Sequence, residues 1–336
     1  PPTKVEAIQT PPPVPGLDYP EDEVVSDGLD IAALLAATAL AAAAPAATTD
    51  YLFVWTSDVT AKKADFLAVI DTDPASPRYT EVVATVPTDV ANARAHHTEH
   101  QMSEGGRLFA NAFGAGKTFI FDLRDPLQPK VEATFENVGE FMHPHSFART
   151  PSGNVLATFQ MRGHGNDAPG ALVELSPAGK VLRMSDAADP AAEPFIRPYS
   201  LAVVPALDRV VTGSADMHGK DTSHSVQVWR LSDLKLLHTV RLPKGPKGDE
   251  GEDPAEPRVL ADGRTVVVST FPCGMYLLDG IDGPAPSARF IYSFPDGAEC
   301  ALPVVAGKYW VATSTKLGLI ALDMTDPAKP REGSRL

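Results

Sequence analysis

Cysteine, positive charge and long apolar runs are all scarce in this chain, and each shortage removes a class of explanation. Two cysteines, Cys273 and Cys300, occur in 336 residues, too few for a structural zinc module. A single disulfide or two small buried thiols remain open. Acidic residues outnumber basic ones, 43 against 29, for a net charge of −14. Nucleic acid, whose phosphates need a basic face, is therefore excluded as a partner. The one long apolar stretch, residues 31–47, consists of small residues broken by Pro45, which makes it a poor membrane span. The G-x-S-x-G elbow and the dinucleotide fingerprint are missing too. Gly114-Ala115-Gly116-Lys117-Thr118 lacks phosphate-loop spacing and reads as a hairpin turn.

What is present is proline (32 residues), glycine (25) and an apolar fraction of 43%, a mixture that favours many short strands and frequent turns over long helices. Residues 1–50 form a separate segment. Residues 1–30 are rich in proline and acid and read as an extended arm. Thr3–Ile8 is similar to Pro129–Thr134, an outer-strand sequence, so the arm is a candidate for lending a strand to the last repeat. Residues 31–47, ending Ala44-Pro45-Ala46-Ala47, look like the apolar core and cleavage zone of a secretory signal, with Asp27 and Asp30 where basic residues are usual. The expectation is a periplasmic or secreted protein; an Ala-rich helix packed on the fold is the other reading.

Residues 51–336 repeat themselves. A strand-like motif recurs as Leu108-Phe109-Ala110-Asn111, Val155-Leu156-Ala157-Thr158, Val210-Val211-Thr212-Gly213 and Val266-Val267-Val268-Ser269. A second motif follows each copy, as in Thr118-Phe119-Ile120-Phe121-Asp122 and Leu319-Ile320-Ala321-Leu322-Asp323. Asp71/Asp73-Pro74, Asp122/Asp125-Pro126 and Asp323/Asp326-Pro327 close three copies as turn punctuation. The turns at Gly106, Gly153, Asp208, Gly263 and Gly307 lie 44 to 55 residues apart, the period of a four-stranded propeller blade. The fold expected is an all-β, single-domain β-propeller of six or seven blades. The first recognisable blade lacks an evident inner strand and the last an evident outer one. Residues 244–256, charged and rich in Gly and Pro, read as a solvated loop.

Inner strands line a propeller's channel, so residues some 7 to 11 positions before each turn converge near the axis. These are His96/His97, His143/His145, Arg197/Tyr199, Glu256/Arg258 and Glu299/Cys300. Five of the nine histidines fall in the two stretches 95–100 and 141–146. In an extended strand His143 and His145 share a face, whereas His96 and His97 point apart unless the strand bends. Imidazole with a nearby carboxylate or thiolate suits Cu, Zn, Fe or Ni. A site with one open position suits redox or Lewis-acid chemistry. The candidate ligands are His96, His97, His143, His145, Glu299 and Cys300; the candidate catalytic residues are Glu256 together with Arg258 and Tyr199, which would orient a substrate or tune the metal. The alternative is a binding or scaffold propeller with structural histidines. His100 reads as a neighbour of the site or a surface residue, and His164, His218, His224 and His238 as solvated.

Several of these segments resemble the selenium-binding protein and methanethiol oxidase family. They are Leu67–Tyr79 with its Asp-Pro turn, His96-His97-Thr98, His143-Pro144-His145 followed by Ser152-Gly153, Pro254–Leu260 with its Glu-Pro-Arg, and Leu322–Pro327. The resemblance runs in order over about residues 51–330. It implies a propeller with copper-dependent oxidase activity on a small, sulfur-containing substrate; zinc and iron remain alternatives, as does a metal-assisted lyase or hydrolase. The chain departs from the family at Ala261 and around Lys316-Leu317-Gly318, where the family carries histidine, and in lacking its early selenium-binding cysteine. It is also shorter by about one blade.

Overall fold

The computed structural model describes residues 50–335 except 59, 61, 101, 164–167, 194–195, 220, 295–301 and 315. The proline-rich arm, the signal-like run, His164, Glu299 and Cys300 lie outside the described residues.

Among the described residues, twenty-three strands build six antiparallel sheets in chain order. The first contains β1 (Tyr51–Thr56), β2 (Phe66–Asp71) and β3 (Val82–Pro87). The second contains β4 (Ala95–Thr98), β5 (Arg107–Ala112), β6 (Lys117–Asp122) and β7 (Lys130–Phe135). The third runs β8 (Phe141–Arg149), β9 (Val155–Arg162), β10 (Ala171–Leu175) and β11 (Val181–Asp186). The fourth runs β12 (Pro198–Val204), β13 (Arg209–Ser214), β14 (Ser225–Arg230) and β15 (Leu236–Arg241). The fifth is β16 (Pro254–Val259), β17 (Val266–Thr270), β18 (Gly274–Asp279) and β19 (Ser287–Ser293). The sixth is β20 (Val304–Ala306), β21 (Tyr309–Ser314), β22 (Gly318–Asp323) and β23 (Arg331–Arg335). Each is a simple meander, and β4, β8, β12, β16 and β20 lie side by side at the inner edge. The architecture is a β-propeller, as the repeats imply.

The burial pattern explains why these sequences become these strands. Middle strands such as β9 (Val-Leu-Ala-Thr-Phe-Gln-Met) are buried on both faces, because each blade is covered by its two neighbours. Outer strands such as β7 and β11 alternate between exposed and half-buried. The core is correspondingly a set of layers between blades. Phe109 and Ile120 of the second sheet pack on Phe147, Phe159 and Val173 of the third. Val211, Val226 and Val228 of the fourth pack on Val268, Tyr276 and Leu278 of the fifth. Loss of a ring such as Phe159 would cost about 3–5 kcal/mol.

The Asp-Pro turns behave as punctuation. The Asp71 carboxylate accepts the N–H of Asp73 and the hydroxyl of Ser76, and Asp323 does the same for Thr325. Two expectations change. The sixth sheet has an outer strand after all, β23, whose exposed residues carry no apolar signal. The segment 244–256 is not simply solvated: Glu250 is fully buried, and its carboxylate accepts the N–H groups of Lys247 and Gly248. Cys273 is buried and disulfide-bonded. No described helix is long and apolar enough to cross a membrane.

Candidate metal centre

Four of the inner strands, β4, β8, β12 and β16, carry a register shift. On β4, Ala95 pairs with Ala112 and Thr98 with Ala110, so three steps oppose two. On β8 the shift falls between Pro144 and Phe147, and on β12 between Pro198 and Leu201. Such bulges re-aim side chains that would otherwise alternate across the sheet. They fall at His96-His97, at His145-Ser146 and at Tyr199-Ser200. The backbone groups they free are held by the neighbouring strand: His97 N donates to Asn111 Oδ1 at 2.6 Å, and Ser146 N to Thr158 Oγ1 at 3.0 Å. Asn111 and Thr158 occupy the same place in the repeated motif, so one device is built twice.

The bulges let two consecutive histidines face one point. His96, His97 and His145 present ligand nitrogens within 4.8 Å of one another. The ring centroids stand 4.4 Å apart for His96–His97, 4.9 Å for His96–His145 and 4.3 Å for His97–His145. His97 and His145 are buried and His96 is half-buried. Bonds of about 2 Å to one ion would draw the nitrogens to roughly 3.3 Å, a displacement that small side-chain rotations supply.

The second nitrogens of two rings are held in place. His145 Nδ1 lies 2.9 Å from the Tyr199 carbonyl and 3.1 Å from Ser146 Oγ. A carbonyl only accepts, so Nδ1 of His145 carries the proton and Nε2 keeps a lone pair. His97 Nδ1 is 2.9 Å from the same Ser146 hydroxyl, a group that serves as donor or acceptor. The Nε2 atoms of all three histidines are buried without a hydrogen-bond partner among the described residues. A buried polar atom left so costs about 1–3 kcal/mol. Burial also holds the rings neutral. It pushes His96 down to about 4, with the Arg94 charge adding to the effect. His97 and His145 are driven well below the usual histidine range by burial first, and then by neighbouring imidazoles. Three neutral imidazoles converging on one point fit a transition metal and leave a coordination position open.

The expected ligand set therefore resolves unevenly. His143 is not one of the three. Its φ of +54° breaks the extended alternation, so residues 143 and 145 do not share a face. Its ring packs instead on Phe113 and His218, at 5.3 and 5.0 Å between centroids. Tyr199 stands against His145 at 4.0 Å, and burial holds its hydroxyl well above the usual tyrosine range. Glu256 is buried, with an oxygen 2.7 Å from an Arg258 nitrogen. Arg258 also donates to His100 Nε2 at 3.1 Å, so His100 neighbours the site from the surface. Ser146, Asn111 and Phe113 escaped the sequence reading. The polar residue ending each Ala-Asn or Ala-Thr pair was the available signal for Asn111 and its counterpart Thr158.

A cavity of about 760 Å3 opens beyond the histidines. Its lining includes His100, Phe147, Arg149, Leu201 and Arg258. His100 follows the end of β4, and the others lie two to four residues further along the same inner strands than His145, Tyr199 and Glu256. At about 3.3 Å per residue the cavity sits some 7–13 Å along the axis. One wall is fixed by Glu99, whose buried carboxylate pairs with Arg149 at 2.6 Å and accepts the Phe109 N–H.

No family model matches the chain. A curated relative does: the methanethiol oxidase of Hyphomicrobium sp is 28% identical over 222 residues, covering 58% of this chain and 49% of that one. The chain thus matches about half the length of that relative. In sequence the chain is similar to that methanethiol oxidase. Among solved structures, a hypothetical selenium-binding protein from Sulfolobus tokodaii superposes with a TM-score of 0.68 at 16% identity, over 86% of this chain and 75% of that one. The periplasmic gluconolactonase of Pseudomonas aeruginosa gives 0.61 at 13%, over 85% and 82%. At these identities the likeness is one of fold.

Proposed function

We propose that this protein is a metal-dependent oxidoreductase of the methanethiol oxidase kind, with His96, His97 and His145 holding one copper ion. The observation that carries this reading is the set of three buried Nε2 atoms that have no hydrogen-bond partner among the described residues. Bound there, copper supplies a one-electron couple and a Lewis acid beside the axial cavity. We read that cavity as the chamber for a small substrate, a thiol or other sulfur compound. The Tyr199 ring walls the site from water, and its hydroxyl, kept protonated, is a hydrogen-bond donor. Oxidation of a thiol releases a proton, and we assign its acceptance to the buried Glu256 carboxylate, with Arg258 orienting it.

Two features support export to an oxidising compartment: the signal-like run at residues 31–47 and the disulfide at Cys273. An oxygen electrode tests the function. Copper-loaded protein supplied with methanethiol should consume O2, and the His97→Ala variant should not. Turnover of a substrate without O2 uptake would favour a metal-assisted lyase or hydrolase instead.

A further inference from the structure

A second pair of histidines stands on the opposite side of the triad from the cavity. His143 precedes His145 by two residues on β8, and His218 belongs to the exposed turn after β13. Their rings meet edge to face at 5.0 Å between centroids, with an interplanar angle of 80°. Two imidazoles that share an ion at about 2 Å have centroids roughly 3 Å from it, hence up to about 6 Å from each other. The separation therefore admits one ion. His143 Nδ1 lies 3.3 Å from the Phe113 carbonyl; as that oxygen only accepts, Nδ1 carries the proton and the lone pair is on Nε2.

The Phe113 ring packs against both this pair and the triad. Phe113 is 5.3 and 5.7 Å from His143 and His218, and 5.8 and 5.4 Å from His96 and His145, all between centroids. It opens the short 3-10 turn Phe113–Ala115, with Gly114 inside the turn and Gly116 at φ +62° closing it. That turn is the Gly-Ala-Gly-Lys segment that reads as a hairpin turn in the sequence. His143 itself is held in a left-handed conformation, a cost that persists where surrounding structure enforces it. The local charge is mixed. The Arg94 guanidinium lies 5.7 Å from the Phe113 ring, while the Asp216 carboxylate accepts the His218 backbone N–H at 2.9 Å. Two ligands, solvent exposure and a nearby cation argue for transient capture, in contrast to the three buried ligands of the triad.

We propose that His143 and His218 form a second, weaker metal site that captures a divalent transition-metal ion from solvent and passes it beside Phe113 to the triad. The transfer half rests on the triad holding metal; the capture half does not. Cobalt(II) titration of the apoprotein is the test, because an exposed hydrated site and a buried tri-imidazole site differ in visible absorption. The wild type should bind two ions in two classes. His218→Ala and His143→Gln should each lose the weaker class and load the triad at least fivefold more slowly, with its final occupancy unchanged. His145→Ala should keep the weaker class. A wild type with no ion at the triad, yet a weak class abolished by His218→Ala, would overturn the metal centre and leave the capture site standing. Unchanged stoichiometry and loading rate in both pair variants would overturn the capture site.

Discussion

Ser146 Oγ lies 2.9 Å from Nδ1 of His97, a residue of the neighbouring blade, and 3.1 Å from Nδ1 of His145 beside it. One hydroxyl thus fixes two of the three imidazoles. Groups that orient metal-bound histidines are worth about 10–100-fold in metal affinity. Ser146→Ala should weaken copper binding by that factor, measured by competition with a chelator, while the unfolding midpoint of the apoprotein moves little.

Asn111 serves the backbone as Ser146 serves the rings. It accepts the His97 N–H at 2.6 Å and donates to the Pro144 carbonyl at 3.0 Å, joining two blades. Asn111→Leu strands both groups in the interior and should cost about 2–4 kcal/mol in denaturant unfolding. It should also weaken metal binding, since the bulge aims His96 and His97 together.

The buried imidazoles make the apoprotein sensitive to acid. His96 is lowered to about 4 in the fold, against about 6.5 in the unfolded chain, and His97 and His145 are lowered as well. Between those values the unfolded state binds more protons, so stability rises with pH. Their contribution is complete above about pH 6.5 and is lost as pH falls through the folded values. Thermal melts should show the apoprotein weakening steadily from pH 7 to pH 4.5, with a shallower slope in a His96→Phe variant.

The axial cavity can be filled without touching the ligands. Ala148 is half-buried and lines it. Ala148→Trp should reduce kcat/KM for methanethiol at least tenfold while leaving copper content unchanged; full activity would move the substrate site elsewhere.

Much of this was legible in the sequence, and the failures have physical causes. Blade period, strand motifs and the meeting of two histidine stretches followed from apolar alternation and turn residues, which the structure keeps. The aim of individual rings did not follow, because a bulge changes alternation without changing composition. His96 and His97 face one point only through the register shift on β4, and His143 leaves that point through one backbone angle. The outer strand β23, Arg-Glu-Gly-Ser-Arg, was hidden because it buries nothing. Pairing with β22 makes it a strand.

Metal stoichiometry with its ligand count tests the account most directly. Protein reconstituted with copper and then desalted should retain about one ion per chain by mass spectrometry. X-ray absorption should show three imidazole nitrogens at about 2 Å, falling to two in His145→Ala. Retention of far less than one ion, or an imidazole count unchanged by removing His145, would contradict it.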